Sequence, residues 1–296
     1  MGNLKIAKGR DLQDAIRHVP YERVVNEVAA CCMNAAYDLP CDVVDRVKDF
    51  LNSETSERAR EFLRQYLENA EIATTERMPI CQDTGFAVFF VEMGEMVKID
   101  GGSIYAAITD GTAKGYQEGY LRKSIVKDPV FNRENTGDNT PPIIHLKLVP
   151  GNKINVVLAP KGGGSENMSQ LRMLKPSDGK EGIIDFVVEV VTGAGGNPCP
   201  PTIVGVGIGG TFEKAAFLAK KSLLRDVGKP HNEPEYAELE KEILERINTS
   251  GVGPQGLGGD TTALAVHIEK FPCHIASLPV AVNLNCHAAR HAGFEI

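Results

Sequence analysis

The chain has 296 residues, 42% hydrophobic and 24% charged, which is the composition of an ordinary globular protein. Its net charge is −7 with both signs interspersed, and this excludes a basic surface for nucleic acid. No apolar run approaches the roughly 18 residues that cross a bilayer and the N-terminus lacks a signal-peptide stretch, so we expect a cytoplasmic protein that binds no membrane.

The first predicted elements, over residues 1–75, are helices. Apolar residues recur at helical spacing, with charges between them, over residues 24–29 and 43–51. Residues 53–56 break this pattern and supply N-caps for a further helix through residues 62–67. This segment is predicted to form a helical layer that packs on the rest of the fold.

From residue 78 onward, short apolar runs between glycines and prolines predict strands. The predicted strands cover residues 86–91, 143–148, 154–158, 183–191, 203–206, 261–269 and 274–284. Helices are predicted over residues 104–121 and 165–174, after Thr211, and from Pro234. This order predicts an α/β (α+β) fold, with the helical N-terminal layer packed on mixed β-sheets flanked by helices, in one domain over residues 1–296.

The chain has seven cysteines, an odd number, and its expected intracellular location argues against a disulfide framework. Free cysteines often pack as small buried hydrophobes, and this interpretation fits Cys31, Cys32 and Cys41 among apolar neighbours. Cys273, which follows a proline ahead of a strand, is also interpreted as structural.

The other cysteines, Cys81, Cys199 and Cys286, each lie at a boundary between predicted elements. Prolines make the loop around Cys199 rigid, and neighbouring glycines permit the close approach of a bulky group. Thiolates on rigid loops suit an iron–sulfur cluster, although 118 and 87 positions separate the three and no C-x-x-C occurs. A four-iron cluster on three thiolates would leave one iron free to act as a Lewis acid, which favours substrate chemistry over electron transfer.

Three glycine-rich segments have more than one interpretation. Residues 161–167 follow a strand, and they either bind a carboxylate through free N–H groups or form only a tight turn. Residues 205–210 contain G-x-G-x-x-G, but Asp226, the acidic residue at the expected distance, lies at a helix end, which disfavours NAD. Residues 251–259 have no independent assignment.

Four polar residues are candidates for the same site. Gln82 and Asp83 directly follow Cys81, and Asp83 can serve or orient a general base. Arg122 fits a favourable charge at a helix C-terminus. His274 fits either a proton carrier or a structural histidine.

Taken together, these segments resemble the class I fumarate hydratases. The likeness extends through nearly the whole chain, and the joint occurrence of the motifs in this order is specific. The resemblance implies a [4Fe-4S] cluster on Cys81, Cys199 and Cys286. The matching stretches are residues 79–85, 161–167, 197–201, 205–210, 256–260 and 274–286.

The resemblance also implies roles at matching positions. Gln82, Asp83, Arg122 and the backbone near Gly164 are the implied substrate contacts, and Arg122 would take a carboxylate through its planar fork. Asp83 and His274 are implied parts of the proton-transfer apparatus. The implied reaction is the reversible hydration of fumarate to L-malate, a step of the tricarboxylic acid cycle, with the open iron as Lewis acid.

Single-chain members of this family continue into a second domain that supplies further active-site residues, whereas this chain ends ten residues after Cys286. The resemblance therefore implies an α subunit that is inactive without a β subunit, and a dimer of such αβ pairs. The implied substrate is a dicarboxylate, fumarate or malate.

Three alternatives remain open. An L-tartrate dehydratase α subunit shares the fold, the cluster and the split architecture, but it resembles this chain less at residues 161–167 and 259–262. A non-catalytic iron–sulfur protein would hold a cluster that binds no dicarboxylate. An NAD-binding protein would bind a nucleotide without iron.

Overall fold

The structure is a computed structural model and describes residues 16–296. Its strands are β1 (Arg17–Pro20), β2 (Phe86–Gly94), β3 (Val97–Asp100), β4 (Ile143–Val149), β5 (Ile154–Lys161), β6 (Gln170–Leu174), β7 (Thr202–Gly209), β8 (Ala263–Phe271), β9 (Leu278–Asn285) and β10 (Ala292–Glu295). Its α-helices are α1 (Tyr21–Tyr37), α2 (Cys41–Ser53), α3 (Glu57–Glu76), α4 (Ile104–Glu118), α5 (Gly163–Glu166), α6 (Gly179–Ala194), α7 (Phe212–Ser222) and α8 (Pro234–Asn248). None of the described helices is both long and apolar enough to cross a membrane.

The mixture of helices and strands confirms the predicted α/β class. Local sequence sets the start of two helices as predicted. Ser56 Oγ caps α3 by accepting a hydrogen bond from Ala59 N at 3.4 Å, and Pro234 occupies the first position of α8.

The predicted strand over residues 183–191 is wrong, because these residues lie within α6. The run is rich in valine and isoleucine and resembles a buried strand, yet its buried members Ile183, Val187 and Val190 follow helical spacing. This face packs in a hydrophobic cluster with residues of β7, β8, β9 and α8. Tertiary packing therefore outweighs the strand preference of the β-branched side chains.

The predicted helix over residues 165–174 is also wrong. The helical part is the single turn α5, and Gln170–Leu174 forms the edge strand β6. β6 pairs antiparallel with β9, from Gln170 opposite Val282 to Leu174 opposite Leu278. The apolar pattern of this segment is too short to separate helix from strand, and its pairing with β9 determines that it forms a strand.

The described residues fall into two compact units. Unit 1 contains the described residues up to Ala36 together with Thr84–Pro160 and His291–Ile296, and unit 2 contains Tyr37–Asp83 and Lys161–Arg290. The predicted helical layer is therefore divided, with almost all of α1 in unit 1 and with α2 and α3 in unit 2. Residues 1–15 of that layer lie outside the described residues. A single domain over residues 1–296 stays a prediction.

Unit 1 contains a four-stranded sheet in the order β10-β5-β2-β4 and the parallel pair β1 and β3. β2 and β4 are parallel, whereas β10 is antiparallel to β5. Residues 150–152 thus join β4 and β5, which are not neighbours in the sheet. α1 and α4 approach closely at a glycine, because a Cβ on Gly111 would lie 2.6 Å from Val28 Cβ.

Unit 2 is built on a four-stranded sheet in the order β6-β9-β7-β8. β7 is buried along its whole length, parallel to β8 and antiparallel to β9. α6 and α8 pack on the sheet through one hydrophobic cluster, and α2 and α3 pack through another that includes Leu63, Tyr66 and Leu264. Because apolar side chains cover the sheet, its loops at the strand ends are the places where polar groups can gather.

The glycines of the G-x-G-x-x-G segment serve the close packing of α7 on β7. A Cβ on Gly205 would lie 2.1 Å from Ala219 O, and one on Gly207 would lie 2.0 Å from Ala215 O. Only glycine leaves room for the helix at this distance. Asp226 lies after α7 rather than at the end of a strand, so the segment gives no support to the NAD interpretation.

Candidate active site

Cys199 and Cys286 lie at the same edge of the unit 2 sheet. Cys199 precedes β7 and Cys286 follows β9, and these strands are antiparallel with Ile203 opposite Asn285. Because one strand of an antiparallel pair starts where the other ends, the two loops meet at this edge. Both cysteines are partly buried, and their thiols are free. We call this end of the sheet, which is formed by the loops at the strand ends and not by an edge strand, the cysteine edge.

Cys81 reaches the cysteine edge on the segment that follows α3. The Asn69 side chain holds this segment by donating a hydrogen bond to Ile80 O at 2.9 Å. Burial raises the pKa of the Cys199 and Cys286 thiols, and a charge on Cys81 raises the pKa of both further. Cys199 and Cys286 therefore both lie within electrostatic reach of Cys81.

The backbone at Cys199 is held in an unusual conformation. Its φ of 54° lies in the left-handed region, which residues with a Cβ rarely adopt. His287 stabilises this loop by donating from its main-chain N–H and from Nδ1 to Cys199 O, at 3.1 and 2.9 Å. His287 O in turn accepts a 2.6 Å hydrogen bond from the Tyr66 hydroxyl of α3. The residue after Cys286 thus fixes the loop that carries Cys199.

Gln255 also supports this loop. Its main-chain N donates to Pro200 O at 2.8 Å, and its side-chain amide donates to the same oxygen at 3.1 Å. The segment that carries Gln255 is anchored by the buried Glu54, whose carboxylate accepts from Asp260 N and Thr261 N at 3.0 and 2.9 Å. The glycine-rich segment over residues 251–259, which had no assignment, therefore has a structural task.

Asp83 lies against the glycine-rich turn that follows β5. Its Oδ2 accepts a 2.8 Å hydrogen bond from Gly163 N, and its own N–H donates to Cys81 Sγ at 3.4 Å. A Cβ on Gly164 would lie 3.4 Å from Asn197 O, so the same turn lies against the loop that precedes β7. The structure thus brings the predicted residues Cys81, Asp83 and Gly164 together.

Lys161 adds a buried positive charge to this region. It is 5% exposed, and its Nζ donates to Ser165 Oγ at 2.8 Å and lies 3.3 Å from the Glu166 carboxylate. Burial lowers the pKa of Lys161 to about 8, although the charges of Glu166 and Cys286 oppose this change. Burial alone would raise the pKa of Glu166, but Lys161 and Lys220 outweigh it and lower that pKa to about 2. Lys161 therefore remains mainly protonated at neutral pH.

Arg290 is a second buried cation next to Cys286. It is 4% exposed, and its Nη2 donates to the main-chain O of Asp83. Its Nε and Nη1 are buried without a hydrogen-bond partner among residues 16–296. The charge of Arg290 opposes the rise that burial causes in the pKa of the Cys286 thiol.

The three free thiols of the cysteine edge have the donor chemistry of an iron–sulfur cluster. Within residues 16–296, no group of three or more His, Cys, Asp or Glu residues is placed to hold one metal ion. In a cluster each thiolate binds a different iron, so the ligand sulfurs stand farther apart than around a single ion. Three free thiols beside two buried cations, one of them with unsatisfied N–H groups, suit a bulky group of negative charge.

The remaining cysteines only partly follow their prediction. Cys31 and Cys32 are buried as predicted, and burial raises the pKa of Cys31 to about 12. The prediction of burial is wrong for Cys41, which is exposed at the first position of α2, and Cys273 is exposed as well. Their exposure makes Cys41 and Cys273 suitable control positions, because replacing an exposed side chain costs little packing.

Arg122 lies in unit 1, in the segment after α4. Because α4 ends at Glu118, the interpretation of Arg122 as a helix-end charge is wrong. Arg122 is exposed, and its main-chain O accepts a 2.9 Å hydrogen bond from Thr84 Oγ1. Gln82 is exposed as well, with its Oε1 3.5 Å from Cys81 Sγ. Substrate contacts by Arg122 and Gln82 stay predictions.

His274 is not brought to the cysteine edge within the chain. It is exposed in the turn between β8 and β9, and its Nδ1 accepts a hydrogen bond from Ala276 N at 3.1 Å. Cys286 follows the opposite end of β9, and the eight extended residues of that strand span about 26 Å. Within a single chain, β9 therefore separates His274 from Cys286, and the proton-transfer roles of Asp83 and His274 stay predictions.

Three residues of the cysteine edge were not predicted: Tyr66, His287 and Arg290. Tyr66 and His287 have no sequence signal beyond an apolar helical position and a place next to Cys286. For Arg290 a signal exists, because the arginine follows two alanines close to a candidate ligand. A charged residue within such an apolar stretch is a candidate for burial with a partner.

One protein-family model, described as Fumarate hydratase (Fumerase), matches residues 25–295. The putative L(+)-tartrate dehydratase subunit alpha of Methanocaldococcus jannaschii is 43% identical over 276 residues, which cover 91% of this chain and 96% of that protein. The L(+)-tartrate dehydratase subunit alpha of Escherichia coli K12 is 36% identical over 258 residues, which cover 85% of this chain and 84% of that protein.

The chain belongs to the fumarate hydratase family. It is a hydro-lyase, an enzyme that adds water across a carbon–carbon double bond or removes water to form one. The cysteine edge of unit 2 is its candidate active site.

Proposed function

We propose that this chain is the iron–sulfur subunit of an enzyme that interconverts fumarate and L-malate. One observation carries the proposal: Cys81, Cys199 and Cys286 converge at one sheet edge, where Asp83 N–H is bonded to Cys81. A [4Fe-4S] cluster held by these three thiolates would have one iron without a protein ligand.

Cluster binding requires thiolates, and two neighbouring cations favour the thiolate at Cys286. Burial keeps the Cys199 and Cys286 thiols protonated at neutral pH, because it raises their pKa. Arg290 and Lys161 oppose this effect at Cys286, and a negatively charged group would compensate Arg290, whereas Lys161 already has Glu166 as its counter-charge. When bound, the cluster would supply a Lewis acid that polarises the hydroxyl group of malate.

Asp83 is the proposed general base. Hydration and its reverse require transfer of a proton at the carbon next to a carboxylate, and an aspartate within reach can carry it. The 2.8 Å hydrogen bond from Gly163 N to Oδ2 fixes the orientation of the Asp83 carboxylate. Because Asp83 N–H bonds to Cys81 Sγ, a substrate held at the cysteine edge would lie close to this carboxylate.

The substrate carboxylates are proposed to bind the main-chain N–H groups near Gly164 and the side chains of Gln82 and Arg122. The missing Cβ at residues 162–164 lets a ligand approach the backbone. The planar guanidinium of arginine suits a carboxylate through two parallel hydrogen bonds. A proton-transfer role for His274 would require a second chain, because β9 separates this residue from Cys286.

A β subunit is the proposed partner. Both relatives described above are named as alpha subunits. We infer that a β subunit supplies further groups of the active site and that αβ pairs assemble as a dimer. All seven cysteines are free, which supports the proposed cytoplasmic location.

L(+)-Tartrate is the second candidate substrate, and the names of the relatives favour it. Malate and tartrate are both four-carbon dicarboxylates with a hydroxyl group beside a carboxylate, so the same set of groups suits either. They differ by one hydroxyl group. A site built to bond that hydroxyl rejects a compound that lacks it.

Anaerobic co-purification of the chain with its β subunit, followed by assays with L-malate and L(+)-tartrate, tests the proposal. We expect bound iron and sulfide, and a kcat/KM for malate about tenfold or more above that for tartrate. A preference for tartrate would establish the second candidate, and a preparation without iron would contradict the cluster. Cys41→Ser is the matched control, which should keep its iron and full turnover.

A further inference from the structure

Arg290 is buried at the cysteine edge with much of its hydrogen-bonding capacity unused. It is 4% exposed, and the partner of its described hydrogen bond, Asp83 O, is a neutral carbonyl. Its Nε and Nη1 have no partner among residues 16–296. The side chain is therefore held in place by one of its nitrogens, Nη2, while two others face the interior without an acceptor.

This arrangement is unfavourable unless an anion joins it. A buried N–H without an acceptor has lost the hydrogen bond that it makes in water, and a buried charge without a counter-charge costs more. Arginine cannot escape this cost by losing its proton. The cysteine edge therefore requires an acceptor of negative charge that the described residues do not supply.

The position of Arg290 indicates the class of anion. Arg290 lies four residues after Cys286, and its charge acts on that thiol. Through Asp83 O it also contacts the segment that carries Cys81. A four-iron core with two positive charges, bound by three thiolates, has a net negative charge, and its sulfurs accept N–H hydrogen bonds.

Resting on the proposed function, we propose that Arg290 is a positioning residue that binds the iron–sulfur cluster. Nη2 fixes the Cys81 segment by bonding Asp83 O, while Nε and Nη1 donate to the sulfur of Cys286 or to a sulfide of the cluster. The rigid fork of the guanidinium performs both tasks at once, which the point charge of a lysine cannot. Hydrogen bonds to the sulfurs raise the reduction potential of the cluster and help to retain its iron.

A substrate carboxylate would use the same N–H groups, and the two anions differ in a measurable way. A contact with the cluster acts when no dicarboxylate is present. A contact with a carboxylate alters KM and leaves the cluster of the substrate-free enzyme unaltered. The properties of the cluster without substrate therefore separate them.

The test compares Arg290→Gln and Arg290→Lys with the unaltered αβ enzyme after anaerobic reconstitution. Iron and sulfide per chain, the midpoint potential of the cluster without substrate, and the rate of iron loss in air are measured. We expect a more negative potential and a several-fold faster loss of iron in Arg290→Gln. Arg290→Lys keeps the charge, so its potential should lie between those of Arg290→Gln and the unaltered enzyme. It should lose iron as fast as Arg290→Gln does.

Arg60→Gln is the matched control, because Arg60 Nε is also buried without a partner among the described residues but lies in α3. This variant should have an unaltered potential and unaltered retention of iron. Circular dichroism confirms folding, and if Arg290→Gln does not fold, the shifts in Arg290→Lys decide the question.

An unaltered potential together with unaltered iron retention in folded Arg290 variants would overturn the proposal. A raised KM for malate in that case would assign Arg290 to the substrate instead. Failure of the proposed function looks different, because the unaltered enzyme would then contain no iron or would not turn over malate.

Discussion

The two edges of the sheet in unit 2 are formed by the ends of the same strands but differ in how their loops are held. At the cysteine edge, His287 and Tyr66 fix the loops by hydrogen bonds, and Lys161 and Arg290 are buried next to the thiols. At the opposite edge, the turn between β8 and β9 is exposed, with Ile275 92% exposed.

The opposite edge nevertheless has a cavity of its own. An apolar cavity of about 940 Å³ lies there, and its lining includes Tyr236, Leu239, His274 and Ile275. A large apolar cavity is the usual first guess for a binding site. In this molecule, the cysteine edge is the candidate active site instead, because its buried charges and fixed thiols suit the proposed cluster and the proposed anionic substrate.

The largest expected effect contrasts one cysteine from each edge. Cys286→Ser should abolish cluster binding and turnover, because a serine hydroxyl is a poor substitute for the soft thiolate that an iron–sulfur cluster selects. Cys273→Ser, at the opposite edge, should retain both. Iron analysis and malate turnover of the anaerobic αβ enzyme measure the contrast, and equal iron in the two variants would contradict the ligand assignment.

Replacement of Asp83 is expected to lower turnover less than replacement of Cys286. Asp83→Asn should lower kcat about 10²- to 10⁴-fold at unaltered iron content, because the amide still offers an oxygen to Gly163 N–H but accepts no proton. His274→Asn, at the opposite edge, should also keep its iron. Steady-state kinetics with parallel iron analysis test both, and loss of iron from Asp83→Asn would assign the carboxylate to cluster support.

The smallest expected effect lies between the edges, at His267 in β8. His267 is 2% exposed opposite Gly205, and burial together with the charge of Arg225 lowers its pKa from 6.5 to about 4. Between these pH values the unfolded chain takes up a proton that the folded chain excludes. Stability should therefore fall by up to about 3 kcal/mol as the pH drops through this window.

His267→Leu should remove this part of the pH dependence, because leucine binds no proton. Anaerobic urea unfolding at about pH 7 and about pH 4.5 measures the difference in unfolding free energy. His274→Asn, at an exposed position in the turn between β8 and β9, is the control. An unaltered slope in His267→Leu would assign the acid sensitivity to other groups.

The parts of the site that could be predicted are those with a local signal. Cys81, Asp83 and Cys199 are flanked by prolines, which make a loop rigid, and by glycines, which permit close approach, whatever the tertiary structure. The starts of α3 and α8 were predictable for the same reason, since Ser56 and Pro234 act within one helical turn.

The parts that could not be predicted depend on burial and pairing. Arg290 matters because two of its nitrogens are enclosed without a partner among the described residues, which is a property of the folded chain alone. The α6 run was misread because its β-branched residues fit a strand as well as a helix until packing decides. For His274 the sequence contained a usable sign, since a strand predicted between it and Cys286 already separates them.

β9 is the last strand of unit 2 along the chain, yet it lies between β6 and β7. During translation β6, β7 and β8 emerge first, and the gap between β6 and β7 stays open until residue 285 has left the ribosome. Cys286 follows directly after that strand, so the three candidate ligands can meet only after β9 has entered the sheet between β6 and β7. Under the proposed function, the chain would therefore bind its cluster only after β9 has paired with both of its neighbours.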